Sequence, residues 1–120
     1  MGFNFEKLDV YGKSVDLAHE VYELTRTFPK EELYGLTSQL RRAVLSIPAN
    51  IAEGSGRYSK KDFSQFLRIS RSSLYECIPL LEISLRQSYI GKKEFEVLYS
   101  RLTVLAQMTS GLLRSMNDQR

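Results

Sequence analysis

The chain of 120 residues predicts an all-α protein, an antiparallel up-down-up-down four-helix bundle, and three observations point there. Apolar side chains recur every three or four residues through four long stretches, the repeat of a helix face. The alternating β-branched pattern bounded by turns that marks strands is missing. Helix-breaking residues gather in three short links, at 28–35, at 54–56 and at Gly91, so successive helices turn back on one another. The length suits a single core, and residues 1–120 are read as one domain.

The first helix is expected to open near Asp9, a good N-cap residue type. It carries two apolar stripes, one of Tyr11, Val15, Ala18, Tyr22 and Thr25, the other of Val10, Leu17, Val21, Leu24 and Phe28. Together they make a face wider than one partner helix covers. Pro29 disfavours helical geometry at Phe28, and Gly35 can supply a positive φ, so "FPKEELYG" ends the helix. The second helix starts at "LTSQL", with Thr37 or Ser38 as cap, and buries Leu36, Leu40, Ala43 or Val44, Ile47 and Ile51. Ser59 caps the third, with Asp62 three places on in the manner of a capping box. Its stripe of Phe63, Leu67, Ser70, Leu74, Cys77 or Ile78, Leu81 and Leu85 reads as a helix to about Tyr89. In the fourth, Phe95, Leu98, Leu102, Leu105, Thr109, Leu112 and Met116 alternate spacings of three and four, a coiled-coil-like seam.

One stretch sits oddly in this pattern. "SIPANIAEGSGR", residues 46–57, places a proline, an asparagine, a glutamate and two glycines where an apolar helix should run. At about 100° per residue, Leu40, Ile47, Ile51 and Gly54 share one direction, while Arg42, Ser46, Asn50, Glu53 and Arg57 share a separate arc of about 80°. Glu53 precedes Arg57 by one turn, an order that suits a helical ion pair. Gly54 leaves room for a facing helix, and Pro48 is expected to bend the axis. A half-buried Asn50 and Glu53 need hydrogen-bond partners, and Ser73 and Glu76 of "RSSLYE" are the candidates. The polar stripe of Ser46, Asn50, Glu53, Ser73 and Glu76 is read first as a register device, with a ligand site as the alternative.

Charge is unevenly spread. The chain carries +3 overall, yet residues 37–75 hold Arg41, Arg42, Arg57, Lys60, Lys61, Arg68 and Arg71 against Glu53 and Asp62 alone. Such a basic middle can meet an anionic surface or RNA, with Tyr58 as a stacking group, or can simply solvate the protein. One cysteine, Cys77, excludes an internal disulfide, and one histidine, His19, leaves no zinc-ligand cluster, so neither metal nor cofactor is expected. No apolar run reaches the length of a bilayer span and no secretory signal opens the chain, so a cytoplasmic protein with no membrane partner is expected. Helical ribonucleases pair an arginine with a histidine four to six intervening residues on, but Ser14, Lys13 and Gly12 occupy those positions before His19. No Ser-His-Asp, Cys-His or paired-carboxylate arrangement stands out, and a non-enzymatic protein is expected.

The stretch "FPKEELYGLTSQLRRAVLSIPANIAEGSGRYSKKDFSQFLRIS", and "SIPANIAEG" above all, resembles the small four-helix-bundle proteins encoded in intervening sequences of bacterial 23S ribosomal RNA genes. The likeness spans about Leu8 to Leu113. It extends to the accessory variability protein of diversity-generating retroelements, a basic pentameric barrel that works with a reverse transcriptase. The resemblance implies a homopentamer and a nucleic-acid-binding or ribonucleoprotein scaffold, with Arg41, Arg42, Arg57, Lys60, Lys61, Arg68 and Arg71 meeting phosphates of RNA or DNA. The alternative it implies is an adapter that docks a reverse transcriptase or another protein without affinity for nucleic acid. Where similar proteins show a Gly-Ser pair this chain has Ser72-Ser73, and Pro79 follows. Ser72 is expected to oppose close helix approach, and Pro79 to kink the third helix.

Overall fold

In the computed structural model, residues 2–117 are described, and among them lie four α-helices, two short 3-10 turns and no strand. The order is a 3-10 turn at Asn4–Lys7, α1 at Asp9–Thr25, a 3-10 turn at Lys30–Glu32, α2 at Leu36–Ser55, α3 at Lys60–Arg86 and α4 at Lys92–Asn117. Each helix packs on its neighbours in the chain, and α4 closes on α1. Partners across α2 and α3 run in opposite senses: Ser46 meets Ser73, Ile47 meets Ser70, and Gly54 meets Phe66. Between α3 and α4, Ser64 meets Met116 while Arg71 meets Ser110. The four-helix bundle is therefore antiparallel.

The core comes from the expected spacing. Leu17, Leu40, Ile47, Ile51, Leu67, Leu74, Leu81, Leu98 and Leu105 are fully buried, so every helix sends apolar side chains into one core. Of the two stripes on α1, the one with Val10, Leu17 and Val21 fills the core. The other divides: Ala18 and Thr25 are buried, while Tyr11 and Tyr22 are half-buried and Val15 is exposed by 39%. Buried hydroxyls do not interrupt this packing, because Thr25, Ser84 and Thr109 each donate to the carbonyl one turn back, at 2.8 Å.

The α2–α3 pair is the tightest in the molecule. A methyl at Gly54 would lie 2.6 Å from Phe66 Cβ and 2.9 Å from the Phe63 ring, so only hydrogen fits there. Ala43, Ser70, Ser73 and Cys77 are buried as well, and small side chains of this kind let the two backbones approach. Ser72, expected to hold the helices apart, points to solvent, and Ser73 takes the interface position. Pro79 is also exposed, and α3 is continuous across it. Pro48 is buried within an unbroken α2.

The helix ends depart from expectation more than the helices do. Asp9 is not the cap of α1. Leu8 holds that position without a side-chain bond, and Asp9 is the first helical residue, where its negative charge suits the positive end of the helix. Nor does Thr37 or Ser38 cap α2, because Gly35 is the boundary residue and the acceptor comes from the loop: Glu32 Oε1 takes the Leu36 N–H at 3.2 Å. Gly35 itself has φ −116°, and no described glycine has a positive φ. Ser59 does cap α3, its hydroxyl accepting the Asp62 N–H at 3.1 Å. That helix stops at Arg86, short of Tyr89, because Ser88 turns left-handed at φ 62°. Tyr89 instead donates its hydroxyl to Glu32 Oε2 at 3.0 Å and sets its ring 5.3 Å from Phe28, joining the two links at that end of the bundle.

Candidate functional site

The polar stripe of α2 resolves into a small network at the α2–α3 interface. Ser73 donates its hydroxyl to Ser46 Oγ at 2.9 Å. Asn50 Nδ2 donates to the same oxygen at 2.9 Å and to the Ser46 carbonyl at 2.8 Å. Ser70, one turn earlier on α3, donates to the Ile47 carbonyl at 2.8 Å. These bonds satisfy half-buried polar groups and fix the sliding position of one helix on the other. Glu53 is exposed, not half-buried, and pairs with Arg57 at 2.8 Å as its spacing predicts. Glu76 makes no hydrogen bond or ion pair among the described residues. It lies with Arg42 on a shallow cavity of about 280 Å³ whose floor includes Ser46 and Ser73.

The seven basic residues and Tyr58, read from the sequence as one surface, divide between distinct places. Arg41 turns toward α1, where Nε donates to Thr25 Oγ1 at 2.9 Å and the guanidinium lies 4.7 Å from the Tyr22 ring centroid. That arginine joins two helices. Its neighbour Arg42 is exposed on the α3 side of the same helix turn. Arg71 reaches across to α4, with Nη1 3.5 Å from Ser110 Oγ. Arg57, Tyr58, Lys60, Lys61 and Arg68 remain together at the α2–α3 turn and the first turns of α3, all exposed. Rising about 1.5 Å per residue, α2 carries Arg42 about 20 Å from that turn.

A residue set that periodicity gives no reason to notice completes this end. The 3-10 turn at Asn4–Lys7 lies against α1 and α2. Phe3 stacks on Phe5 with ring centroids 5.6 Å apart, and Phe5 meets Tyr11 edge-on at 4.8 Å. Between this segment and the α2–α3 turn opens a cleft of about 670 Å³, lined by Phe3, Asn4, Glu53, Arg57, Tyr58 and Asp62 among others. Arg57 forms a fixed wall, its guanidinium 4.6 Å from the Phe66 centroid and bonded to Glu53. The signal available in the sequence was the pair of phenylalanines in "GFNFE", too short a segment for any repeat to show.

On the opposite side, the α1–α4 seam is the least packed of the four. It forms a furrow of two cavities, about 380 and 550 Å³. The Arg101–Glu20 ion pair at 2.7 Å bridges the same two helices. Val97 and Val104 stand on its rim, substantially exposed.

The groups most often used in catalysis are placed elsewhere. Cys77 is buried in the core, and burial, with the charge of Glu76 as a second cause, pushes its thiol up to about 12, so no thiolate nucleophile forms near neutrality. His19 is a surface residue 4.0 Å from Glu23. Among the described residues no cluster of His, Cys, Asp or Glu could hold a metal ion, and no helix is long and apolar enough to cross a membrane.

A compact antiparallel bundle with a hydrogen-bonded polar network in its tightest interface and a basic turn at one end is the class of protein at hand. Residues 6–111 match the family described as "23S rRNA-intervening sequence protein", and the chain belongs to that family. A crystal structure from Bacteroides thetaiotaomicron VPI-5482, described as a protein with unknown function from the S23 ribosomal protein family, is similar to it. The two superpose with a TM-score of 0.81 at 25% identity, covering 88% of this chain and 95% of the other. No curated protein matches the chain. Neither matching description carries an enzymatic activity.

Proposed function

We propose that this protein is a non-enzymatic, cytoplasmic accessory scaffold that binds nucleic acid through the basic end of the bundle. The observation that carries the reading is the exposed run of Arg57, Tyr58, Lys60 and Lys61 at one turn and Arg68 further along α3, with Arg42 and Arg71 as outlying contacts and Arg41 largely committed to α1. Lysine and arginine at such a turn gain affinity by displacing counterions from phosphates. Membership of a family encoded with ribosomal RNA supports the same choice. Assembly as a homopentamer would repeat the basic end around a ring and multiply weak contacts. The partly exposed stripe of Tyr11, Val15 and Tyr22 is the surface that a sister copy would cover.

A mobility-shift titration against RNA and DNA at two salt concentrations tests the reading. Binding should weaken as salt rises, and a Lys60→Glu, Lys61→Glu, Arg68→Glu variant should lose most of it. Absent or salt-insensitive binding overturns it. The native mass, measured by light scattering, tests the assembly, and a monomer overturns the pentamer.

The adapter reading keeps one observation of its own, the apolar rim of the α1–α4 furrow at Val97 and Val104. It expects co-purification of a defined protein, such as a reverse transcriptase, by a chain that leaves RNA and DNA unbound.

A further inference from the structure

We propose that the cleft between the N-terminal 3-10 turn and the α2–α3 turn takes unpaired bases, making the ligand a single strand, stacked on Tyr58 and Phe3. This rests on the nucleic-acid reading above and names its substrate class. The first ground is the two rings. Tyr58 is fully exposed and Phe3 exposed by 68%, on two separate segments that border one cleft. Neither ring adds to the core, so folding alone gives no reason for an aromatic at either position. Phe3 is already the outer member of a stack, 26° from parallel with Phe5, and its other face is open for one more flat group.

The second ground is size. A cleft of about 670 Å³ is in the range of small-molecule sites, roughly 300–1,000 Å³, which suits one or two nucleotides. It is no seat for a duplex, whose bases are already stacked and turned inward, so that aromatic platforms serve single strands.

The third ground is charge. Arg57 lines the cleft together with Glu53 and Asp62, and Lys60 and Lys61 follow Tyr58 by two and three residues at the start of α3. Glu53 occupies one edge of the Arg57 guanidinium at 2.8 Å, which leaves further N–H groups of the fork for a phosphate. An end with so small a positive excess cannot draw a polyanion by charge alone. Stacking has to supply much of the affinity, and the dependence on salt should be shallow beside that of a fully basic groove. The Asn4 amide, also on the lining, offers both a donor and an acceptor to a base edge.

The test is fluorescence anisotropy on the full chain, with a labelled oligouridine of about 12 nucleotides, inside the site sizes of single-strand binders, and a labelled RNA duplex of equal length. Oligouridine should bind more tightly than the duplex. Tyr58→Leu should weaken oligouridine binding by about 5- to 150-fold, the usual effect of losing one stacked base, with the salt slope and duplex affinity unchanged. Tyr58→Phe should keep parental affinity, and Phe3→Leu should fall in the direction of Tyr58→Leu. Lys60→Gln should instead lower the salt slope by about one. Parental oligouridine affinity in both Tyr58→Leu and Phe3→Leu, or a duplex bound as tightly as the single strand, overturns this inference and leaves the nucleic-acid reading standing. Failure of the parent chain to bind either probe at low salt overturns both.

Discussion

Single residues decide how closely α2 and α3 lie. At Gly54, an alanine would gain up to about 1 kcal/mol of helix propensity, but its methyl would meet Phe66 Cβ at 2.6 Å, an atom fixed to the α3 backbone. Overpacking of that kind costs about 1–3 kcal/mol, so Gly54→Ala should lower the urea midpoint by an amount worth about 1–2 kcal/mol. Cys77 sets a pH dependence. The unfolded chain gives up a thiol proton near the usual value of about 8.5–9, whereas the folded chain keeps it until about 12. Alkali therefore favours the unfolded state, and stability should fall by about 1 kcal/mol per pH unit between those limits. Denaturant titrations of parent and Cys77→Ala should differ by a constant up to about pH 8 and then converge as the parent loses its advantage. Tyr89, raised by its bond to Glu32, pulls in the same direction at higher pH and is common to both chains. The Gly54 approach was legible in the sequence, because a glycine on the buried face of a helix has few other uses, but the polar pairing was not: Ser73 bonds to Ser46, and Asn50 and Glu53, for which Ser73 and Glu76 were the expected partners, bond to Ser46 and Arg57 of their own helix. The division of the basic residues was not. A list of charges does not say that Arg41 turns to Thr25 while Arg57 lies on Phe66.

At the scale of elements, the helix bodies followed from spacing, while of the ends the Ser59 cap of α3, the stop of α2 at Ser55 and the start of α4 after Gly91 followed and the caps of α1 and α2 and the end of α3 did not. Spacing is local, so a stripe such as Leu98, Leu102 and Leu105 announces its own buried side. Caps are bought more cheaply from wherever a carboxylate happens to be, and the group that stops the N-terminus of α2 is Glu32, from a loop that also receives Tyr89 from the far link. Likewise Gly91, read as a separator, sends its N–H to Glu94 at 2.8 Å at the start of α4. The end of α3 has an imperfection that can be repaired. Ser88 sits at φ 62°, a conformation that costs an L-residue about 1–2 kcal/mol, whereas glycine adopts it without that penalty. Ser88→Gly should therefore raise the thermal midpoint, with a net gain of about 0.5–1 kcal/mol after the larger entropy of an unfolded glycine is subtracted. An unchanged or lower midpoint would show that the serine is held there without strain.

For the whole molecule, packing is uneven around the ring of helices, tight between α2 and α3 and loose between α4 and α1. The ion pair across the loose seam joins side chains that are about half and one-third exposed, and such a pair contributes at most about 1 kcal/mol. Opening should begin there. Hydrogen exchange is expected to be slowest at Ile47, Ile51, Leu67 and Leu74 and faster in α1, and equal protection of α1 and α3 would contradict that order. The width of the α1 face was legible, but which of its side chains enter the core was settled only by where α2 and α4 press. The hairpin of α2 and α3 carries one further implication. Its helices are pinned at two levels, by Ser46 on Ser73 and by Gly54 under Phe66. Gain or loss of a residue between the pins would rotate one against the other, whereas the turn at 56–59 and the links beyond lie outside them. Evolution can thus lengthen or shorten this protein at its loops, while the stretch from Ser46 to Gly54 and its counterpart on α3 must keep a fixed count of residues.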